Sequence, residues 1–309
     1  MAQKRLEGLI AAPFTPLHDD GSLNLGLIPR YRAMLRHNGV RGAFICGSTG
    51  EGASLTLSEK MAVAEAWAED LPDPDAFPVI TLVGGTCLAD CVELARHARS
   101  AGLHAVAFMA PYYFKPPDVQ ALADCCATVA AAVPDMPFYY YHIPALTGVA
   151  FPMISLLHAV DGRIPNFAGI KYTEEDFMDF LSCLRFREGA YDMLWGRDEC
   201  LLPALALGAS GGVGSTYNYA APLYLRILRA FREGDLDTAA ALQQQAVDMI
   251  ALLGKHGGLP TGKAFMRRMG LDCGGFRLPL RNMDTDAYQR FCIDTDRIGF
   301  DGLRSVMPD

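Results

Sequence analysis

The sequence predicts an α/β protein, a (β/α)8 TIM barrel with a C-terminal helical extension. Three observations carry that expectation. Short apolar runs alternate with amphipathic helical stretches, the pattern of a parallel sheet covered by helices. Eight such units fit within the 309 residues, a usual length for a closed barrel. The first strand leads into Pro13 instead of a G-x-G-x-x-G turn, which disfavours an open doubly wound sheet.

The elements follow in order. The first strand covers 8–12 and stops at Pro13 and Pro16. A helix over 27–37 ends at Asn38-Gly39, residues that tolerate the left-handed conformation. The second strand, 42–46, runs into Gly47-Ser48-Thr49-Gly50-Glu51-Gly52. Thr56-Leu57-Ser58-Glu59 forms a capping box for a helix reaching about Asp70, ahead of Pro72 and Pro74. Strand three is 79–83, followed by a helix over 88–100. Strand four, 105–109, gives way to Pro111-Tyr112-Tyr113 and a helix over 118–133. Strand five is 137–142, with a helix over 151–160. Strand six, 167–173, carries Lys171, and 173–176 supplies a cap for the next helix. Strand seven is 191–195, with a helix over 199–207. Strand eight is 211–215. Helical patterns then cover 223–231 and 236–253, ahead of a looser tail. No low-complexity linker intervenes, so the barrel is assigned to 1–222 and the extension packed on it to 223–309.

Composition narrows the function. Half the residues are hydrophobic (51%), enough for a large core. A net charge of −8 argues against nucleic acid or an anionic membrane as the main partner. No apolar run reaches the length of a membrane span, and no signal peptide is evident, so a cytoplasmic protein is expected. The nine cysteines are scattered without a C-x-x-C pair and read as reduced thiols. The histidines are dispersed, so no metal site is expected.

In a barrel the strand C-termini converge on one face, where chemistry is done. Lys171 alone among the six lysines lies inside a strand-like run. Apolar surroundings lower a lysine pKa and free its amine for attack on a carbonyl. By itself such a lysine also fits a strand end that reaches water or a carboxylate. Tyr141 ends the neighbouring strand, about 5 Å away in a sheet. Alternation sets Tyr139 and Tyr141 on one face and Tyr140 and His142 on the other, which makes His142 a packing residue. Ser48 and Thr49 sit in a glycine-rich turn that suits an anion, carboxylate or phosphate alike. Asp198 and Glu199 follow strand seven, as helix-start acids or as acceptors for a polyhydroxylated ligand. Gly214-Ser215-Thr216 after strand eight adds hydroxyl contacts.

These residues, with the stretch from Tyr139 to Val149, Gly169-Ile170-Lys171 and Val213-Gly214-Ser215-Thr216-Tyr217-Asn218-Tyr219, resemble the dihydrodipicolinate synthase / N-acetylneuraminate lyase family of pyruvate-dependent Schiff-base aldolases. The likeness covers nearly the whole chain and points to the lyase branch. It implies a barrel, usually a homotetramer, with no metal or organic cofactor. It makes Lys171 the Schiff-base lysine and Tyr141 the proton-shuttling phenol, helped by Ser48. Ser48 and Thr49 match the turn that binds the pyruvyl carboxylate. Thr173, Gly196, Asp198, Glu199 and Ser215 match positions that contact the sugar chain, beside Gly214. Tyr113 matches a tyrosine that approaches a neighbouring subunit's site. The implied reaction is reversible cleavage of N-acetylneuraminate to pyruvate and N-acetylmannosamine, both ends being small molecules. Two positions depart from the lyases: Tyr172 after the lysine, and Arg197 between Gly196 and Asp198. Leu146 stands where the synthases carry an arginine for a second carboxylate. Arg197 keeps open an aldolase for another 2-keto-3-deoxy sugar acid. A non-catalytic sugar-acid sensor is the alternative from a different class.

Overall fold

A computed structural model describes residues 5–69, 71 and 76–308. Eight parallel strands follow one another in chain order around a closed barrel. They are β1 (Gly8–Ala11), β2 (Gly42–Ile45), β3 (Val79–Leu82), β4 (Ala105–Met109), β5 (Phe138–His142), β6 (Phe167–Tyr172), β7 (Asp192–Trp195) and β8 (Gly211–Gly214). Pairing of β1 with β8, from Gly8–Gly211 to Ala11–Gly214, closes the ring. Strands buried on both faces read as continuous apolar runs, which is why the sequence displays them so clearly.

Eleven α-helices longer than one turn, and one short α-helix, accompany the strands among the described residues: α1 (Ile28–His37), α2 (Leu57–Ala68), α3 (Leu88–Ser100), α4 (Val119–Ala130), α5 (Pro144–Thr147), α6 (Met153–Val160), α7 (Phe177–Arg185), α8 (Leu201–Leu207), α9 (Tyr217–Arg232), α10 (Leu236–Lys255), α11 (Pro260–Arg268) and α12 (Thr285–Arg297). None is long and apolar enough to cross a membrane. The capping box forms as expected: Glu59 N donates to Thr56 Oγ1 (3.3 Å) and Thr56 N to Glu59 Oε2 (2.9 Å). Asp176 caps α7 by accepting from Met178 N and Asp179 N. Lys4, Asp70, Pro72 and Pro74 lie outside the described residues.

Three features differ from expectation. The four-residue α5 is too short to show a helical period. Helix α9 begins at Tyr217, and a kink at Ala220 (φ −136°, ψ 28°) accommodates Pro222, so the expected 222/223 boundary falls inside it. The tail holds α11 and α12, whose apolar stripes are masked by charged residues; on α11 even Lys263 is buried.

Two cores result. Side chains pointing into the barrel include Ile10, Phe44, Ile80, Leu82, Ala107, Tyr139 and Tyr141. Those pointing outward pack under the helices and run on into the extension, where Phe265 stacks on Tyr219 (4.6 Å) and meets Phe291 and Phe300. Two residues before Tyr141 on the same face of β5, the Tyr139 hydroxyl donates to Asp192 Oδ2 (3.1 Å). Burial pushes that carboxyl up to about 6.

Candidate active site

The site begins with the register of β5 on β6. Tyr141 pairs with Lys171 and His142 with Tyr172, but the register shifts between Phe138 and Tyr139, where β6 holds one extra residue. Phe167 packs outward and Ala168 inward. Strict alternation from there would turn Lys171 out toward the helices. The bulge resets the phase and aims it inward, a common use of bulges beside active sites. Gly169 permits this, since a Cβ there would lie 1.9 Å from the Asp192 carbonyl oxygen.

Lys171 is 4% exposed. Its Nζ lies 4.1 Å from the Phe44 ring centroid and 4.0 Å from that of Tyr141. Loss of hydration lowers its pKa to about 7, against a smaller upward pull from the Asp198 carboxyl. A large fraction is therefore free amine at neutral pH. Burial raises the Tyr141 phenol to about 12, while the Ser48 and Thr173 hydroxyls facing it pull the other way. Thr173 Oγ1 stands near that phenol without completing a hydrogen bond and is left buried and unpartnered.

The acids after β7 divide. Asp198 is buried, and its Oδ2 accepts from Thr216 Oγ1 (2.6 Å) and Thr216 N (3.0 Å). Its Oδ1 has no partner, and burial lifts its pKa to about 6. Gly214 is required here, because a Cβ would meet Asp198 Oδ1 at 1.9 Å. Glu199 is half-buried, with Oε1 3.3 Å from Arg197 Nη2. Gly196 N donates to the Tyr172 carbonyl, which sets its bare Cα against Thr173. Thr49 is buried, whereas Ser48 and Ser215 are half-buried.

Lys171, Tyr141, Ser48, Thr173 and Asp198 are thus brought together by burial and mutual electrostatics. Tyr113 stands apart, 77% exposed beyond β4 with its ring edge against Phe114. His142 is a packing residue as expected: its ring lies 5.1 Å from Tyr172, and burial drives its pKa to about 4. The two departures also find places. Tyr172 points outward, donating to Asp179 Oδ2 (2.9 Å) and stacking on Trp195. Arg197 is paired with both Glu175 and Glu199. Sequence reasoning missed Phe44, the floor beneath the amine, although alternation along β2 would have turned it inward. It also missed Lys263, which lies outside any strand-like run. That side chain is buried, with Nζ 3.0 Å from Glu51 Oε1.

A model of the dihydrodipicolinate synthetase family matches residues 5–295. The chain belongs to this family. It is 38% identical to N-acetylneuraminate lyase of Pongo abelii, with 98% of this chain and 96% of that protein aligned. Among solved structures it superposes on Proteus mirabilis N-acetylneuraminate lyase with a TM-score of 0.92 at 38% identity, covering 96% and 100% of the two chains. The Aliivibrio salmonicida N-acetylneuraminate lyase, described as a sialic acid aldolase, gives 0.93 at 36% identity, with 96% and 98% covered. Members of this family share the barrel, so the buried amine at the mouth of β6 is the feature to explain chemically.

Proposed function

We propose that this enzyme, a lyase, cleaves open-chain N-acetylneuraminate reversibly to pyruvate and N-acetylmannosamine through a Schiff base on Lys171. The observation that carries the reading is a buried amine, its pKa lowered to about 7, against the Tyr141 ring, in a chain whose relatives are named N-acetylneuraminate lyases.

The neutral Nζ of Lys171 attacks the C2 ketone and forms a C–N bond. The bonded nitrogen passes one proton to the C2 oxygen, and Tyr141, protonated at rest, gives it a second, so that it leaves as water. The imine cation then faces a phenolate, and each charge stabilises the other. The phenolate takes the C4 hydroxyl proton, and the O–H electron pair becomes the aldehyde carbonyl. The C3–C4 pair passes into the imine as an enamine, and N-acetylmannosamine departs. Tyr141 returns its proton to C3, and water hydrolyses the imine to pyruvate and free amine. Ser48 and Thr49 hold the substrate carboxylate. Thr173, Gly196, Asp198, Glu199, Gly214 and Ser215 take the hydroxylated chain. Leu146 offers no charge to a second carboxylate, and the Arg197 guanidinium is already answered by Glu175 and Glu199.

The same reading makes the enzyme a homotetramer of carbohydrate metabolism, with Tyr113 reaching a neighbour's site. Tyr113 and Phe114 present an exposed aromatic edge of the kind that interfaces cover. A cytoplasmic location is supported by nine free cysteines, since reducing compartments keep thiols unpaired.

Borohydride with pyruvate is expected to inactivate the enzyme and add mass at Lys171, and N-acetylneuraminate to release pyruvate fastest among sialic and keto-deoxy acids. An adduct on Lys60, Lys115, Lys255 or Lys263 would sink the mechanism. Preference for another keto-deoxy acid would replace the substrate and leave the chemistry. Binding with neither adduct nor turnover would make the protein a sugar-acid sensor.

A further inference from the structure

We infer that Lys263, in the C-terminal extension, is a positioning residue for the turn at 47–52, and that it sets the site's grip on the substrate carboxylate. This rests on the reading that Ser48 and Thr49 bind that carboxylate.

The turn is awkward for its sequence. Cys46 (φ 56°) and Glu51 (φ 57°) both adopt the left-handed region, where L side chains are rarely found. Such conformations persist only where the surroundings over-determine them. Here the surroundings come from the far end of the chain. Glu51 Oε1 accepts from Lys263 Nζ (3.0 Å), and Glu51 Oε2 accepts from the Arg277 backbone N–H (2.9 Å). Lys263 Nζ also donates to the Gly275 carbonyl (2.6 Å) and lies 4.6 Å from the Phe276 ring centroid. On the other side, Thr15 Oγ1 donates to the Gly50 carbonyl (2.6 Å). Glu51 follows Ser48 and Thr49 in the same turn, so its carboxylate fixes where their hydroxyls stand.

The Lys263 and Glu51 side chains are only 3% and 2% exposed. A buried ion pair gives little net stability over an apolar pair of similar volume, because both charges lose their hydration. What it does supply is direction: three hydrogen bonds must align before the charges are satisfied. An apolar plug would fill the same space and leave the turn free to relax.

The test compares pyruvate with pyruvamide, which has the same ketone but no carboxylate, as partners for borohydride trapping at Lys171. Lys263→Met is expected to raise the half-saturating pyruvate concentration by about 10- to 100-fold, the scale of an ångström-level misplacement. Trapping with pyruvamide should change little. Lys263→Arg, which keeps the charge, should recover part of the loss. If Lys263→Met does not fold because Glu51 is left unpaired, the Glu51→Gln/Lys263→Met double variant removes that charge and is measured in its place. Equal losses for the two ketones, no loss for either, or failure of both variants to fold would assign the pair to stability alone and overturn the inference. Ser48→Ala with Thr49→Val separates this from the underlying reading. If that variant fails to discriminate pyruvate from pyruvamide, the turn does not bind the carboxylate. If it discriminates and the Lys263 variants do not, only the positioning role fails.

Discussion

A lysine ammonium enclosed by Phe44 and Tyr141 loses its hydration, and that loss governs both its reactivity and its effect on stability. The amine titrates at about 7 in the fold against 10.5 in the unfolded chain. Between those values the unfolded chain holds a proton that the folded chain has released. Folding is therefore disfavoured progressively as pH falls from 10.5 toward 7, and the cost is constant below that. Replacing the amine with an apolar isostere should relieve it. Lys171→Met is expected to melt higher than the wild type at pH 7, by roughly 3–5 kcal/mol of stability, with the gap closing as pH approaches 10. Calorimetry across pH checks this, and equal stabilities at pH 7 would mean that the amine is hydrated after all. The same titration predicts the kinetics. Only free amine attacks, so the rate of pyruvate-dependent borohydride inactivation should rise with pH and reach half its plateau near pH 7. A limb above about pH 9 would mark an ordinary lysine.

Beyond β7 the structure changes how the acids should be probed. Asp198 supplies the acceptor for both Thr216 donors, so an alanine there would orphan two buried groups and confuse stability with function. Asparagine keeps an acceptor and removes the charge. Asp198→Asn should leave pyruvate trapping intact and move its acid limb to lower pH, because the carboxyl that raises the Lys171 pKa is gone. Loss of a charged hydrogen bond to the sugar should lower kcat/KM for N-acetylneuraminate by about 10–100-fold. An unchanged limb together with unchanged kcat/KM would make Asp198 a structural cap of the β8 loop. Arg197→Val should barely alter stability, since its ion pairs are part-exposed and such pairs are worth about 0–1 kcal/mol. It frees Glu175 and Glu199 at the mouth, and initial rates on a panel of keto-deoxy acids would reveal a changed preference. An unaltered ranking would remove Arg197 from specificity. Elements of this kind were partly legible in sequence. The strands were, because burial on both faces makes them mostly apolar, with few polar positions such as Lys171 and Asp192. The glycine-rich turn and the acids were visible as residue types at strand ends. The bulge at Ala168 and Gly169 was not, since one inserted residue leaves the apolar run unbroken while reversing every side chain after it. Nor was the Glu51–Lys263 pair, which joins positions far apart in the chain through tertiary packing alone.

At the scale of the molecule, the barrel was readable because eight strand–helix units repeat one pattern, whereas the extension was readable only as helices. Its attachment depends on contacts that no local pattern encodes. The C-terminal residues thread back onto the start of the barrel's last helix: Ser305 N donates to the Tyr219 carbonyl (2.7 Å), and Ala221 N donates to Ser305 Oγ (3.2 Å). Val306 exchanges two hydrogen bonds with the Asn38 side chain at the end of α1. Phe14, at the exit of β1, meets Phe276 edge to face. Barrel and extension thus share one apolar core and should unfold together. Heat or denaturant is expected to give a single transition, coincident by fluorescence and circular dichroism. A chain ending at Gly302 loses buried Leu303 and Ser305 and strands the donors and acceptors of Tyr219, Ala221 and Asn38. Removing a buried leucine and several buried hydrogen bonds should cost roughly 3–5 kcal/mol, seen as a lower melting temperature of the whole molecule. If the truncated chain instead kept its barrel transition and lost only a separate, earlier one, the extension would be a domain of its own, and its hold on the turn at 47–52 would have to be local to α11.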